Sequence, residues 1–277
     1  MRTTFSFISG VVALLSLMAA VPLLWLSTHV VNEDGYVEFS STLAKDAELQ
    51  SAFSAYLTDK LSSRGVIPPA FKAPAAAALT AAVKRTSNEA GFVEAWEETQ
   101  RSSHRAAFAD PMPQVLGIDV SPMATFVVKQ VSGDLPVALA VPDGLVVPVV
   151  TDSGDREAVD RVKQSAPLGR IAGIVAVAGA LACVGLARRT SGAVAWLGAG
   201  TLVVAGLLWL ASGPVTQEVL DHTEAPSEFA RTLQKLLVDR AAGSLDAWLV
   251  VLAVAGVIAT AAGLVGRGVT GAAGRSV

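Results

Sequence analysis

Four stretches of this 277-residue chain are long, apolar and uncharged, and they limit its fold more than any other feature. They are residues 5–26, 171–187, 193–211 and 247–266, and Leu168 and Gly169 can extend the second. Crossing a bilayer core takes about 20 mostly apolar residues, because a helix bonds all its own backbone groups where water is absent. Only 16% of the residues are charged, against about 25% in an ordinary soluble domain. The expected fold class is therefore a mainly α membrane protein. It has a four-helix transmembrane bundle and an extracytoplasmic α-rich (α+β) domain between spans 1 and 2. The expected divisions are 1–27 (first anchor), 28–168 (the large domain), 169–212 (spans 2 and 3), 213–245 (an amphipathic outer loop) and 246–277 (span 4 and tail). The single cysteine, Cys183, forms no intramolecular disulfide and reads as a small packing residue in an apolar run.

Arg2 and the small residues Met18-Ala19-Ala20 would also suit a cleaved signal. The apolar run continues through "VPLLWL", beyond the 7–15 residues or so of a signal core, so an uncleaved anchor is expected. Basic residues set the orientation. With the N-terminus inside, the inner pieces hold Arg2, Arg188, Arg189, Arg267 and Arg275 and no acid. The other 16 of the 21 basic residues and all 24 acidic ones then lie outside, so the inside carries +5 and the outside −8. Trp25, Trp209 and Trp248 fall at the outer headgroup level and Trp196 near the inner one, as an aromatic belt requires. The expected location is the cell membrane, with four spans and both termini cytoplasmic. Small residues recur at four-residue spacing in Gly169/Gly173, Ala172/Ala176/Ala180 and Ala259/Gly263. They read as close helix packing within the bundle, with dimerisation the weaker alternative.

The large domain reads as mainly helical. Asp46 caps a helix to about residue 64, striped by Leu49, Phe53, Leu57 and Leu61. "GVIPPAFKAP" breaks it, and an alanine-rich helix follows over about 74–86. Asn88 is the expected cap of the next helix, 89–108, which "DPMP" ends. "QVLGIDV" reads as a strand, "SPMATFVVKQV" as a short helix capped by Ser121, and "LPVALAVPDGLVVPVVTD" as strand pieces around a turn. A charged helix opening at Ser153 or Asp155 leads into span 2. In the shorter outer loop, "SEFARTLQKLLVDR" is amphipathic, with Ser227 as cap. Its Phe229, Leu233, Leu236 and Leu237 lie on one side. It either lies on the membrane surface or docks on the large domain.

The candidate site lies on helix 89–108. Trp96, Gln100, His104 and Phe108 are four apart and share one stripe, while Glu97 and Arg101 form an expected salt-bridged pair beside it. His104 near the helix C-terminus gains from the helix dipole when protonated. Ser102 and Ser103 adjoin it in sequence, but residues one or two apart do not face each other on a helix. No nucleophile motif lies near, so Trp96, Gln100, Arg101 and His104 read as a structural or capping face, with pH sensing or chemistry as the alternative. His29 and His222, with Asp221 or Glu218, make only a long-range grouping without a metal motif; neither a metal nor any cofactor is expected.

The spans hold no ionisable residue, which argues against a proton- or ion-coupled transporter. There is no Walker loop, dinucleotide fingerprint, HExxH or GxSxG. The basic clusters are small and the large domain is acidic, so nucleic acid is not an expected partner.

Across "VNEDGYVEFSSTLAKDAELQSAFSAYLTDKL" and "FVEAWEETQRSSHRAAF" the chain resembles a group of actinobacterial integral membrane proteins of uncharacterised function. The matching positions are Asp34-Gly35-Tyr36, Asp46, Trp96, Arg101 and His104, and Tyr36 stands where that group often has tryptophan. The resemblance implies an N-terminal span, an extracytoplasmic helical domain and further spans, and it implies no active site. The expected function is that of a non-enzymatic cell-envelope protein. Its partners would be the lipid bilayer and another membrane protein or an envelope component. An accessory subunit or sensor is the alternative, followed by an outer-leaflet enzyme acting on lipid or cell wall.

Overall fold

The structure is a computed structural model that describes residues 2–111, 113, 116–131, 140–141, 144–150, 153–222 and 225–273. Several expectations fall outside these residues: Gln114 and Val115 of the first strand, most of "LPVALAV" with Pro142 and Asp143, and Arg275. The side chains of Ser153, Asp155, Asp221 and His222 do as well.

The chain folds as two compact units. One comprises residues 1–28, 164–218 and 240–277, and the other 29–163 and 219–239.

The first unit is built on four helices: α1 (Arg2–Leu26), α8 (Ser165–Leu186), α9 (Thr190–His222) and α10 (Glu228–Ala273). Four helical segments are long and apolar enough to cross a membrane: Arg2–Val31, Ser165–Leu186, Thr190–Glu218 and Glu228–Arg267. Their residues sort by size. Large apolar side chains point outward, with Ile174 69% and Val251 70% exposed, while Ala13, Ala20, Ala176, Ala195 and Ala205 are buried. A soluble bundle would turn the large side chains in; helices solvated by hydrocarbon gain by bringing small ones together. Gly263 shows how close the backbones come, since a Cβ there would run into the Ala195 nitrogen and the Ser191 carbonyl. Hydroxyls inside these helices bond within the bundle. Thr201 and Thr260 donate to the carbonyls of Leu197 and Gly256, and Ser6 Oγ donates to the Cys183 carbonyl at 2.7 Å. Trp209 is exposed, but Trp25 is buried and donates to Ser244 Oγ at 3.2 Å.

In the second unit, α2 (Glu33–Ser41), α3 (Ala47–Ser63), α4 (Lys72–Thr86) and α5 (Ala90–Ala107) precede a small antiparallel pair, β1 (Leu116–Asp119) and β2 (Val146–Val150). The helix α6 (Ser121–Val131) lies between the strands in sequence, and α7 (Ser153–Lys163) follows them. The strands pair Ile118 with Val147 and Asp119 with Val146. Asp46 Oδ1 accepts from the Glu48 and Leu49 amides, as a helix cap must, and Leu49, Phe53, Leu57 and Leu61 are all buried. They join Leu79, Phe92, Trp96, Val127, Leu145, Phe229 and Leu233 in one core.

Three local expectations are corrected. The α5 helix opens at Glu89, not Asn88, because Glu89 N closes a turn on the Thr86 carbonyl and the Phe92 and Val93 amides bond the Glu89 carbonyl. Ser121 Oγ does not cap α6; it accepts from the Leu145 amide and ties the helix start to the strand region. Residues 213–245, expected as an amphipathic outer loop, are mostly helical extensions of their flanking helices. The α9 helix continues to His222, and α10 runs unbroken from Glu228 because "RAAGSLDAW" contains no proline to stop it. Ser227 Oγ does accept from the Ala230 amide, and the amphipathic start of α10 buries Phe229 and Leu233 in the polar unit's core.

Candidate functional site

The stripe on α5 packs against the chain segment that precedes and forms α2. Trp96 is fully buried, and its indole nitrogen donates to the Ser40 carbonyl at 2.9 Å. One turn on, Gln100 is also fully buried, and its Oε1 accepts from the Tyr36 hydroxyl at 3.0 Å. His104, a further turn along and 7% exposed, bonds the Val30 carbonyl through Nε2 at 2.9 Å. A carbonyl only accepts, so Nε2 carries the hydrogen. The imidazole stacks on Phe108, with centroids 4.3 Å apart and planes at 15°, and its other neighbour is Tyr36 at 5.3 Å. Val30 belongs to a π-helical turn, Ser27–Val31, and Asn32 then caps α2 by accepting from the Gly35 amide.

An ionic latch closes the exposed flank. Arg101 Nη1 donates to Glu33 Oε1 and Asp34 Oδ1, each at 3.0 Å. Arg105 grips both oxygens of Glu33, Nε donating to Oε2 at 3.1 Å and to Oε1 at 3.2 Å, and Nη2 to Oε1 at 2.9 Å. The expected Glu97–Arg101 pair is therefore replaced. The acidic first turn of α2 offers Arg101 two carboxylates at once, where Glu97 would offer one contact within a helix. The bond from Arg105, and then that from Arg101, hold the Glu33 carboxyl below its ordinary range. The bonds to Asp34 and then Glu33 raise the Arg101 guanidinium value, and the bond to Glu33 raises that of Arg105. Burial pushes the Tyr36 phenol up to about 12.

Trp96, Gln100, Arg101 and His104 thus meet in one place, as a joint between α2 and α5. Sequence reasoning missed Val30 and Glu33 in the other half of it, and named Asp34 and Tyr36 only as positions of resemblance, without a role. The signal was the run "EDGY" just after an Asn cap, which sets two acids and a ring on one turn. Chemically the joint is committed to holding. His104 spends its hydrogen on a backbone carbonyl, and both carboxylates face arginines. Ser103 Oγ donates to the Thr99 carbonyl and accepts from the Asp119 amide. Gln100 Nε2 and Thr99 Oγ1 are buried without a partner among the described residues. Among those residues no three His, Cys, Asp or Glu side chains could hold a metal ion.

The polar unit also has an open groove of about 470 Å³, lined by Tyr56, Asp59, Lys60, Pro148, Glu228 and Phe229. The Tyr56 ring lies 5.6 Å from that of Phe229, and Lys60 Nζ sits 5.6 Å from its centroid. The Tyr56 hydroxyl is buried with no partner among the described residues. Burial raises its pKa, and the charge of Arg64 draws it back.

Fold and site together define a mainly α-helical chain with four helices able to span a membrane and a separate polar helical unit. Comparison with family models, curated proteins and solved structures finds no match for it.

Proposed function

We propose that this chain is a multi-pass protein of the plasma membrane with both termini cytoplasmic. Its polar unit stands outside the membrane and binds a partner protein or an envelope component without catalysing a reaction. The observation that carries the reading is the groove beside Tyr56. It is concave and of mixed polarity, and it offers a carboxylate, an amine and an aromatic wall. Such a surface suits recognition of a peptide or a polar polymer better than chemistry. The His104 joint supports the non-enzymatic side, because His104, Arg101, Arg105, Glu33 and Asp34 are engaged in holding α2 and the residues before it to α5. The orientation rests on the acid-free segments around Arg2, Arg188, Arg189 and Arg267. The likeness to uncharacterised actinobacterial membrane proteins agrees with this reading and adds no activity.

Two measurements test it. A membrane-impermeant maleimide applied to intact cells should label Glu94→Cys, on the exposed face of α5, and reach Ser276→Cys only after permeabilisation. The reverse pattern would invert the topology. A photo-crosslinking residue at Asp59 should give one discrete adduct in native membranes, lost on Lys60→Glu, while the same residue at Glu94 gives none. Equal adducts at both positions, or none at either, would remove the groove from the proposal.

A second reading, an accessory subunit or sensor, draws on the bond from His104 to Val30 in the turn that ends the first apolar helix. It requires that His104→Ala change a response of the partner complex while leaving the adduct at Asp59 intact.

A further inference from the structure

One end of the apolar unit holds a cleft of about 340 Å³ with two chemistries. Its floor is apolar: Phe7, Cys183, Ala193 and Trp196 line it. Gly10 makes the floor possible, since a Cβ at that position would collide with the Trp196 ring; the ring therefore packs closely on α1, 5.4 Å from that of Phe7 and tilted 46° to it. The hydroxyl nearest the floor, Ser6, is used up on the Cys183 carbonyl. The rim is basic. Arg188 and Arg189 occupy the exposed turn between α8 and α9, and neither makes an ion pair with any other described residue. Arg267 stands at the same end, its Nη2 2.8 Å from where a Cβ on Gly192 would be.

Acids are remote from this end. Residues 165–217 and 247–277 contain none, and Asp246 lies 21 residues from Arg267, about 30 Å along a helix. The positive charge of Arg188 and Arg189 is therefore uncompensated by any acid among the described residues. Trp196 lies six residues into α9, about 9 Å below its start. That drop from basic rim to apolar floor is close to the headgroup layer of one leaflet, roughly 5–8 Å.

We propose that this cleft binds an anionic phospholipid from the surrounding leaflet, its phosphate between Arg188 and Arg189 and one acyl chain against Phe7 and Trp196. The proposal rests on the membrane-spanning reading of the four helices. Charge complementarity selects the occupant: a soluble anion would leave the aromatic floor bare, and a zwitterionic lipid would bring its own cation to a rim that already has too many.

The test uses the full chain in nanodiscs of phosphatidylcholine doped with phosphatidylglycerol, with retained lipid read by native mass spectrometry. The parent should retain phosphatidylglycerol in preference to phosphatidylcholine. Arg188→Gln with Arg189→Gln should cut that preference about tenfold. Ala193→Met, which fills the floor without changing charge, should lower retention of either lipid. The arginines sit on an exposed turn, so unchanged helicity and elution should accompany their loss, and Arg161→Gln in α7 serves as the remote control. Equal retention of the two lipids by the parent, or a preference that survives the double substitution, would overturn the proposal. A chain recovered in the aqueous phase without detergent would instead overturn the membrane reading beneath it.

Discussion

Tyr36 does more for the α2–α5 joint than one hydroxyl implies. It donates to the side chain of a fully buried Gln100, and its ring is one wall of the His104 sandwich. Tyr36→Phe keeps the ring but leaves the Gln100 carboxamide with no bond, a loss of about 1–3 kcal/mol. Urea unfolding of the detergent-solubilised protein, followed by tryptophan fluorescence, measures it. The hydroxyl also sets an alkaline limit. Its pKa is raised to about 12 in the fold and is about 10 in an unfolded chain. The neutral phenol therefore stabilises the folded state fully below pH 10 or so, and that contribution is lost as pH rises toward 12. In Tyr36→Phe this part of the alkaline loss should disappear. Glu33 sets the opposite limit. Its pKa is lowered, chiefly by Arg105, so its contribution is present above the unfolded glutamate value of about 4.3 and fades as pH falls through the lower folded value. Glu33→Gln should flatten the acid limb of the stability curve while leaving it unchanged in shape near neutrality. An acid limb identical to that of the parent would show that the latch contributes nothing.

At the level of elements, what could be read from the sequence was what repeats locally. Leu49, Phe53, Leu57 and Leu61 announce a buried stripe because a helix brings every fourth residue to the same face, and Asp46 announces its start. Trp96, Gln100 and His104 announce a face in the same way. What they face was not legible. Glu33 and Arg105 are 72 residues apart, and Phe53 and Phe229 are farther still. No local period encodes such a meeting. The local rule even misled, since Glu97 at four residues from Arg101 was the obvious partner until two carboxylates on another helix proved the better one. The unbroken α10 is a similar case: its amphipathic start and apolar remainder read as two elements, yet no breaker separates them. Leu233 tests the consequence. It sits near the start of α10, five residues after Glu228, and is buried in the core with Phe229. Leu233→Ala should cost about 2–4 kcal/mol in the polar unit, measured by urea unfolding, whereas alanine at the exposed Arg231 should change it by less than about 0.5 kcal/mol. Equal effects would detach α10 from that core.

For the whole molecule, the notable fact is how its polar unit is stitched together. Residues 29–163 supply most of it, and 219–239 supply the rest after two further apolar helices. Phe229 packs on Phe53 and Tyr56 with centroids 5.7 and 5.6 Å apart, so the late segment covers part of the early core. A chain ended after residue 218 should keep its first three apolar helices but lose protease resistance between 47 and 107, detectable by limited trypsin digestion of membranes. Resistance equal to that of the full chain would show the early segment to be complete alone.

The ribosome makes this order unavoidable. At about 5–20 residues per second, the first 163 residues leave the exit tunnel several seconds before Phe229 does, and in that interval the surface around Phe53 has no cover. Newly made chains must therefore pass through a sticky, half-finished state whose duration is set by translation and by the insertion of the two apolar helices in between. A chaperone that binds exposed apolar surface would meet the protein there, and slowing synthesis between residues 164 and 228 would lengthen the encounter.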